Sequence, residues 1–362
     1  MTSLDDLPIR DDLRGLSPYG APQEHVRVRL NVNENTHSIP EDVATDIVTA
    51  LARAVMGVNR YPDREFSELR DSLARYLGHG LTRENIWAAN GSNEVLQQTL
   101  QAFGGPGRSV LGFPPTYSMH SIIASGTGTR WIAAVRDANF ELSTDTVVAA
   151  IRREQPNLVF LCSPNNPTGT PLALETIEAA YDATDGIVLV DEAYAEFADG
   201  PTALTLLDGR PRLLVSRTMS KAFAFAGARL GYLAADPAVI DALRLVRLPY
   251  HLSALTQAAA VAALEHAPAM LAMVDDIKRQ RDRMIAALPE LGYTVNPSEA
   301  NFVLFGGVDD PSAVFEALLE QGILIRDVGI ENHLRVTAGS DAETTIFLDA
   351  LGHLSPLGRI AE

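Results

Sequence analysis

Between residues 86 and 235 short apolar runs recur, separated by stretches with helical periodicity. The runs at 86–89, 110–113, 157–162, 187–190, 213–216 and 230–234 are largely continuous rather than alternating, which predicts strands buried on both faces. After the first run, Val95, Leu96, Thr99, Leu100 and Phe103 recur on one helical face, and a second helix is predicted over 172–183. Buried strands joined by crossover helices make an α/β fold with a mostly parallel central sheet between helices. Such sheets gather ligands beyond the carboxyl ends of their strands.

Further along, an Ala-rich helical pattern runs from 256 to 288, followed by a smaller αβ segment. Its predicted elements are strands at 301–305, 323–326 and 333–337, a helix over 311–321 and a closing helix over 341–351. The expected organisation is an N-terminal segment, 1–45, docking on the rest, a large domain over 46–255 and a small C-terminal domain over 256–362.

Composition narrows the function. The 362 residues carry a formal charge of −17, which disfavours nucleic acid and anionic membrane as partners. No apolar run reaches membrane-spanning length and no secretory signal is visible, so a cytoplasmic protein is expected. The single cysteine, Cys162, excludes an internal disulfide and reads as a small buried filler. Of the 29 basic residues only Lys221 and Lys278 are lysine. In so arginine-rich a chain, a retained lysine suits a position where arginine cannot serve, such as a nucleophilic amine.

Four polar clusters follow predicted strands: Ala89-Asn90-Gly91-Ser92-Asn93, Ser163-Pro164-Asn165-Asn166-Pro167-Thr168-Gly169, Asp191-Glu192-Ala193-Tyr194 and Thr218-Met219-Ser220-Lys221. Singly, these are common turns and helix caps. Together they offer an amine for an aldehyde, a carboxylate for a protonated ring nitrogen, and a helix N-terminus for a phosphate. Those are the needs of pyridoxal 5′-phosphate. The glycine fingerprints of dinucleotide and nucleoside-triphosphate sites are missing, as is any zinc-binding spacing, so no metal is expected. The histidines, His120 and His251 among them, show no ligand spacing and receive no role.

These residues, read in order, resemble the fold type I pyridoxal-phosphate aminotransferases of class II, and within them the histidinol-phosphate aminotransferases. The similarity runs from Ser17-Pro18-Tyr19-Gly20 and Leu30-Asn31-Val32-Asn33-Glu34-Asn35, through Arg60-Tyr61-Pro62, to Ile325-Arg326-Asp327 and His333-Leu334-Arg335-Val336-Thr337. It departs at Asn35-Thr36, where the family usually has Asn-Pro.

The resemblance implies transamination between L-histidinol phosphate and 2-oxoglutarate by a homodimer. Lys221 would bind the cofactor's aldehyde and shuttle the proton. Asp191 would face the ring nitrogen, Asn166 and Tyr194 the phenolic oxygen, and Tyr117 the ring. Gly91, Ser92, Asn93, Thr218, Ser220 and Arg229 would hold the phosphate, with Tyr61 reaching the neighbouring subunit's. Arg335, helped by Arg326, would grip the substrate's anionic end, and Tyr19, Asn33 and Tyr250 would line the pocket around the imidazole. An aromatic amino-acid aminotransferase, a pyridoxal-phosphate decarboxylase and a non-catalytic cofactor-binding module remain alternatives at this stage.

Overall fold

In the computed structural model, residue 3, residues 6–15 and residues 20–354 are described. Strand β1 (Val28–Arg29) precedes a seven-stranded sheet built from β2 (Ile86–Ala89), β3 (Ser109–Gly112), β4 (Arg130–Ala133), β5 (Leu158–Cys162), β6 (Ile187–Asp191), β7 (Leu213–Thr218) and β8 (Gly231–Ala234). Their order is β2-β8-β7-β6-β5-β3-β4. β8 runs antiparallel to both its neighbours, and the other pairs are parallel. The residues of β5, β6 and β7 are buried throughout, as their continuous apolar runs predict. β4 is not among the predicted strands, although Trp131-Ile132-Ala133-Ala134-Val135 is itself a continuous apolar run. It lies at the sheet edge, and Arg130, Trp131, Ile132 and Ala133 are all partly or fully exposed.

Helices α1 (Glu41–Val55), α2 (Ser67–Leu77) and α3 (Ser92–Phe103) come from the first third of the chain. α3 buries Val95, Leu96, Thr99 and Leu100 as predicted, with Phe103 half-buried. The helical pattern expected over 256–288 is two helices, Ala254–Glu265 and Ala267–Glu290, bent by 77°. The break falls at His266, just before Ala267-Pro268, which puts Pro268 in the first turn of the second helix, where its missing N–H costs no hydrogen bond. Among the described residues no single helix is long and apolar enough to cross a membrane.

The smaller sheet has the order β12-β10-β9, from β9 (Thr294–Val295), β10 (Phe302–Gly306) and β12 (His333–Thr337). β11 (Ile323–Leu324) pairs with β1. Two buried apolar clusters result. The larger surrounds the seven-stranded sheet and also takes in Ala259, Ala263, Val274 and Ile277. The smaller joins Met284 and Leu288 to Val303, Leu334 and Phe347. The two clusters therefore meet along the helix Ala267–Glu290, because its first half packs with the large sheet.

The N-terminal stretch serves both clusters. Val28 and Leu30 belong to the smaller and Val43 and Ile47 to the larger, so residues 31–35 thread between them. There the Arg335 guanidinium donates to the Asn31 carbonyl (2.7 Å), Lys221 Nζ to the Val32 carbonyl (3.0 Å), and Asn35 Nδ2 to the Ala222 carbonyl (3.2 Å). Thr36, where the resemblance leads one to expect proline, bonds through its hydroxyl to Glu343, the capping-box carboxylate of the helix Asp341–Gly352.

Candidate active site

The carboxyl ends of β5, β6 and β7 open into a cavity of about 300 Å³. Its walls hold Asn33, Ser92, Asn93, Tyr117, Asn166, Asp191, Tyr194, Thr218, Ser220, Lys221, Arg229 and Arg335, twelve of the residues singled out from the sequence. Cys162 and Asp191 are register partners, as are Asp191 and Ser216, so the strand ends lie side by side.

Asp191 is buried at 2% exposure, held by His120 Nε2 (3.1 Å) and by the Ser216 hydroxyl (3.3 Å). His120 is a role the sequence did not disclose, because a lone histidine on an apolar helix carries no spacing signal. His251 bonds instead to the Ala88 carbonyl (2.9 Å) and stacks on Trp87, a packing role. On the opposite face of the same strand ends, the buried Arg217 donates two bonds to Glu192, at 3.0 and 2.8 Å, tying β6 to β7.

Lys221 lies on the turn after β7. Burial, reinforced by the nearby Arg335 and Arg229 guanidiniums and opposed by Glu34, pushes its amine down to about 8. The Thr218 hydroxyl donates to the Leu230 carbonyl (3.1 Å) and accepts from the Ser220 N–H (3.1 Å). It thus shapes the turn that carries Ser220 and Lys221. Cys162 also lines the cavity, with its thiol raised by burial and by Asp191 and so kept protonated.

The far wall is the start of α3. Its N-cap, Gly91, has no side chain to accept from the first N–H groups, which are left for an anion. Arg229 stands beside them: a Cβ on Gly91 would sit 2.5 Å from its Nη2. A Cβ on Gly231 would sit 2.1 Å from the Ser92 backbone nitrogen. Gly231→Ala is therefore expected to cost about 1–3 kcal/mol through overpacking against backbone. A lowered melting temperature together with weaker cofactor retention checks this; a variant unchanged in both would mean the approach relaxes freely. Asn93 Oδ1 accepts from the Tyr117 hydroxyl (3.1 Å) and so orients that ring.

Arg335 is 7% exposed and donates to Asn166 Oδ1 (2.6 Å) as well as to Asn31. The Asn33 side chain, expected to face the imidazole, is bonded to Tyr194 Oη (2.9 Å) and Thr337 Oγ1 (3.1 Å). Arg326 does not line the cavity. It meets Arg335 through the backbone and directs its guanidinium to the Gly20 carbonyl. Tyr61 and Tyr250 lie outside the cavity as well, stacked on each other with centroids 4.4 Å apart. Tyr19 lies outside the described residues.

An amine, a carboxylate and an anion cradle thus converge in one chamber. The sequence profile of the aminotransferase class I and II family matches residues 26–351. The chain belongs to this family. A histidinol-phosphate aminotransferase of Paenarthrobacter aurescens is 62% identical over 353 residues, covering 96% of this chain and 95% of that one. The histidinol-phosphate aminotransferase of Thermobifida fusca is 57% identical over 359 residues, covering 99% and 97%. Among solved structures, histidinol-phosphate aminotransferase from Sinorhizobium meliloti in complex with pyridoxal 5′-phosphate superimposes with a TM-score of 0.85 at 26% identity. That match covers 95% of this chain and 96% of that one.

The residues present fit pyridoxal 5′-phosphate. Its phosphate matches the uncapped helix start beside Arg229, where the two glycines leave space that a Cβ would fill. Its aldehyde matches a buried amine of lowered basicity, and its ring nitrogen matches the anchored carboxylate of Asp191.

Proposed function

We propose that this enzyme exchanges an amino group between L-histidinol phosphate and 2-oxoglutarate, giving imidazole-acetol phosphate and L-glutamate, in L-histidine biosynthesis. The observation that carries the reading is the convergence of Lys221, Asp191, Arg229 and Arg335 in one cavity of a chain so close to named histidinol-phosphate aminotransferases. Pyridoxal 5′-phosphate, when bound, supplies the aldehyde that takes the amine and a ring that accepts the electron pair of the broken Cα–H bond.

The chain's own residues divide the remaining work. With its amine at about 8, Lys221 is neutral in roughly a tenth of molecules at pH 7, far more than an ordinary lysine. That fraction is the nucleophile. Freed by the incoming substrate, Lys221 Nζ moves the proton off the substrate's Cα. Asp191, an acceptor fixed by His120 and Ser216, keeps a ring nitrogen protonated. Ser92, Asn93, Ser220 and Arg229 bind the phosphate, and Tyr117 covers one ring face. Asn166 and Tyr194 donate to the phenolic oxygen. Arg335 grips the phosphate of histidinol phosphate in one half-reaction and a carboxylate of glutamate in the other.

The active unit in this reading is a homodimer in the cytoplasm. Val48, Val55, Met56 and Val58, on α1 and the loop after it, are exposed, as are Leu245 and Leu248. The Tyr61–Tyr250 stack joins these two segments, with Tyr61 79% exposed. A second copy covers this apolar face and receives Tyr61 at its phosphate site. One reduced, buried cysteine suits a reducing compartment.

A single-turnover experiment tests the substrate. The absorbance of the lysine-bound cofactor is followed after mixing with L-histidinol phosphate or, separately, L-phenylalanine. Conversion about a hundredfold faster or more with histidinol phosphate is expected, since a site whose donors match a phosphate leaves some of them unpaired against a smaller carboxylate. Comparable or faster conversion with phenylalanine would move the substrate class to aromatic amino acids and leave the cofactor chemistry standing.

A further inference from the structure

Tyr194 is 5% exposed and lines the cavity together with Lys221 and Arg335. Whether its hydroxyl gives or receives a hydrogen bond there is set by the residues around it, two of which, Asn33 and Thr337, have no part in the chemistry described above. The backbone N–H of Asn33 donates to Thr337 Oγ1 (3.0 Å), and a backbone amide cannot reverse its role. The buried Thr337 hydroxyl still has a proton of its own to place, and it gives it to Asn33 Oδ1 (3.1 Å). With its carbonyl oxygen so engaged, Asn33 presents Nδ2 to Tyr194 Oη (2.9 Å). Asn166 arrives the same way. Arg335, a pure donor, holds Asn166 Oδ1 at 2.6 Å and leaves Nδ2 facing Tyr194 Oη at 3.4 Å. Two amides thus donate to one phenolic oxygen, and the tyrosine's proton has nowhere to point but the cavity.

The relay is buried: Asn33 is 1% exposed and Thr337 3%. It is also anchored from a second side. Asn33 has a positive φ of 56°, and its carbonyl accepts from Asn301 Nδ2 (3.1 Å). The left-handed backbone turns the Asn33 N–H and side chain toward the same threonine. Burial raises Tyr194, so the proton being aimed stays on the phenol.

We propose that Asn33 and Thr337 are positioning residues that fix Tyr194 as a hydrogen-bond donor toward the cofactor's phenolic oxygen, making the small sheet a determinant of cofactor electronics. This rests on the cofactor placement given above. Losing the aimed proton leaves the phenolate less stabilised, so the lysine-bound cofactor holds its imine proton to higher pH.

The test is a spectroscopic pH titration of the holoenzyme chromophore in Thr337→Val, Thr337→Ser, Asn33→Gly and Tyr194→Phe. Glycine is chosen at 33 because it suits the positive φ. Tyr194→Phe is expected to raise the chromophore's apparent pKa by about one unit, a tenfold change in its proton equilibrium. Thr337→Val and Asn33→Gly are expected to reproduce at least half of that rise, lowering kcat more than they raise KM. Thr337→Ser, which keeps the hydroxyl, is expected to titrate like the parent. If Tyr194→Phe shifts the titration and neither Thr337→Val nor Asn33→Gly does, the relay is overturned and the cofactor placement survives. A Tyr194→Phe titration unchanged from the parent overturns the placement of Tyr194, and the relay with it. A lowered melting temperature in Thr337→Val with an unmoved titration assigns Thr337 to stability alone.

Discussion

Lys221→Ala is expected to lower transamination by about four orders of magnitude or more, since in the proposed mechanism it removes both the nucleophile and the proton carrier. The chain's other lysine cannot substitute: Lys278 lies on the helix Ala267–Glu290, bonded to Asp199. Lys278→Ala should leave the rate unchanged, and the paired assay checks both statements. Full activity in Lys221→Ala would remove the lysine from the mechanism. A second readout needs no turnover. In the folded apoprotein the amine sits at about 8, against 10.5 ordinarily, so between these values the unfolded chain binds more protons. Stability then rises with pH across that window, and the gain is absent below about 8. Melting curves of apoprotein and Lys221→Met, compared from pH 7 to 10.5, should diverge in this sense; parallel curves would mean the amine is not desolvated.

Arg335→Ala carries the second large effect. The guanidinium is buried, lies 5.2 Å from the centroid of the Phe302 ring, and orients Asn166. Its loss removes the anchor for the substrate's anion and releases Asn166 to rotate. Removing one partner of a buried charged contact costs about 2–5 kcal/mol, so kcat/KM should fall between roughly thirtyfold and several thousandfold. Both half-reactions should suffer, because in the proposed function histidinol phosphate and glutamate share the anchor. Arg335→Lys should remain impaired, since an ammonium cannot span two acceptors in the plane of the fork. Steady-state kinetics with each substrate decide the matter, and unchanged constants for both would put the anion site elsewhere.

The sequence disclosed what is local. Strands β5, β6 and β7 announce themselves as apolar runs, and the polar clusters at their ends need only the rule that a parallel sheet gathers ligands there. Gly91-Ser92 at a helix start and Ser220-Lys221 after a strand are legible for the same reason. Contacts between distant segments are not. Thr337 meets Asn33 across 304 positions and reads as an ordinary strand residue. His120 looks like any histidine on an apolar helix until β6 brings Asp191 against it. β4 carries an apolar run, Trp131 to Val135, but that run is flanked by Arg130 and Arg136 and lies at the half-exposed sheet edge. Tyr61 and Tyr250 show the reverse case: their sequence contexts point to a site, whereas within one chain they only stack on each other.

The place of β8 in the sheet has a consequence for biosynthesis of the protein itself. β8 lies between β2 and β7, so β2 gains its neighbour in the sheet only when residues 231–234 have been made. A nascent chain leaving the ribosome carries the start of α3 more than a hundred residues before Arg229 and Gly231 arrive to complete the phosphate cradle. The helix start and the arginine beside it therefore come together only after synthesis has passed the last strand of the large sheet.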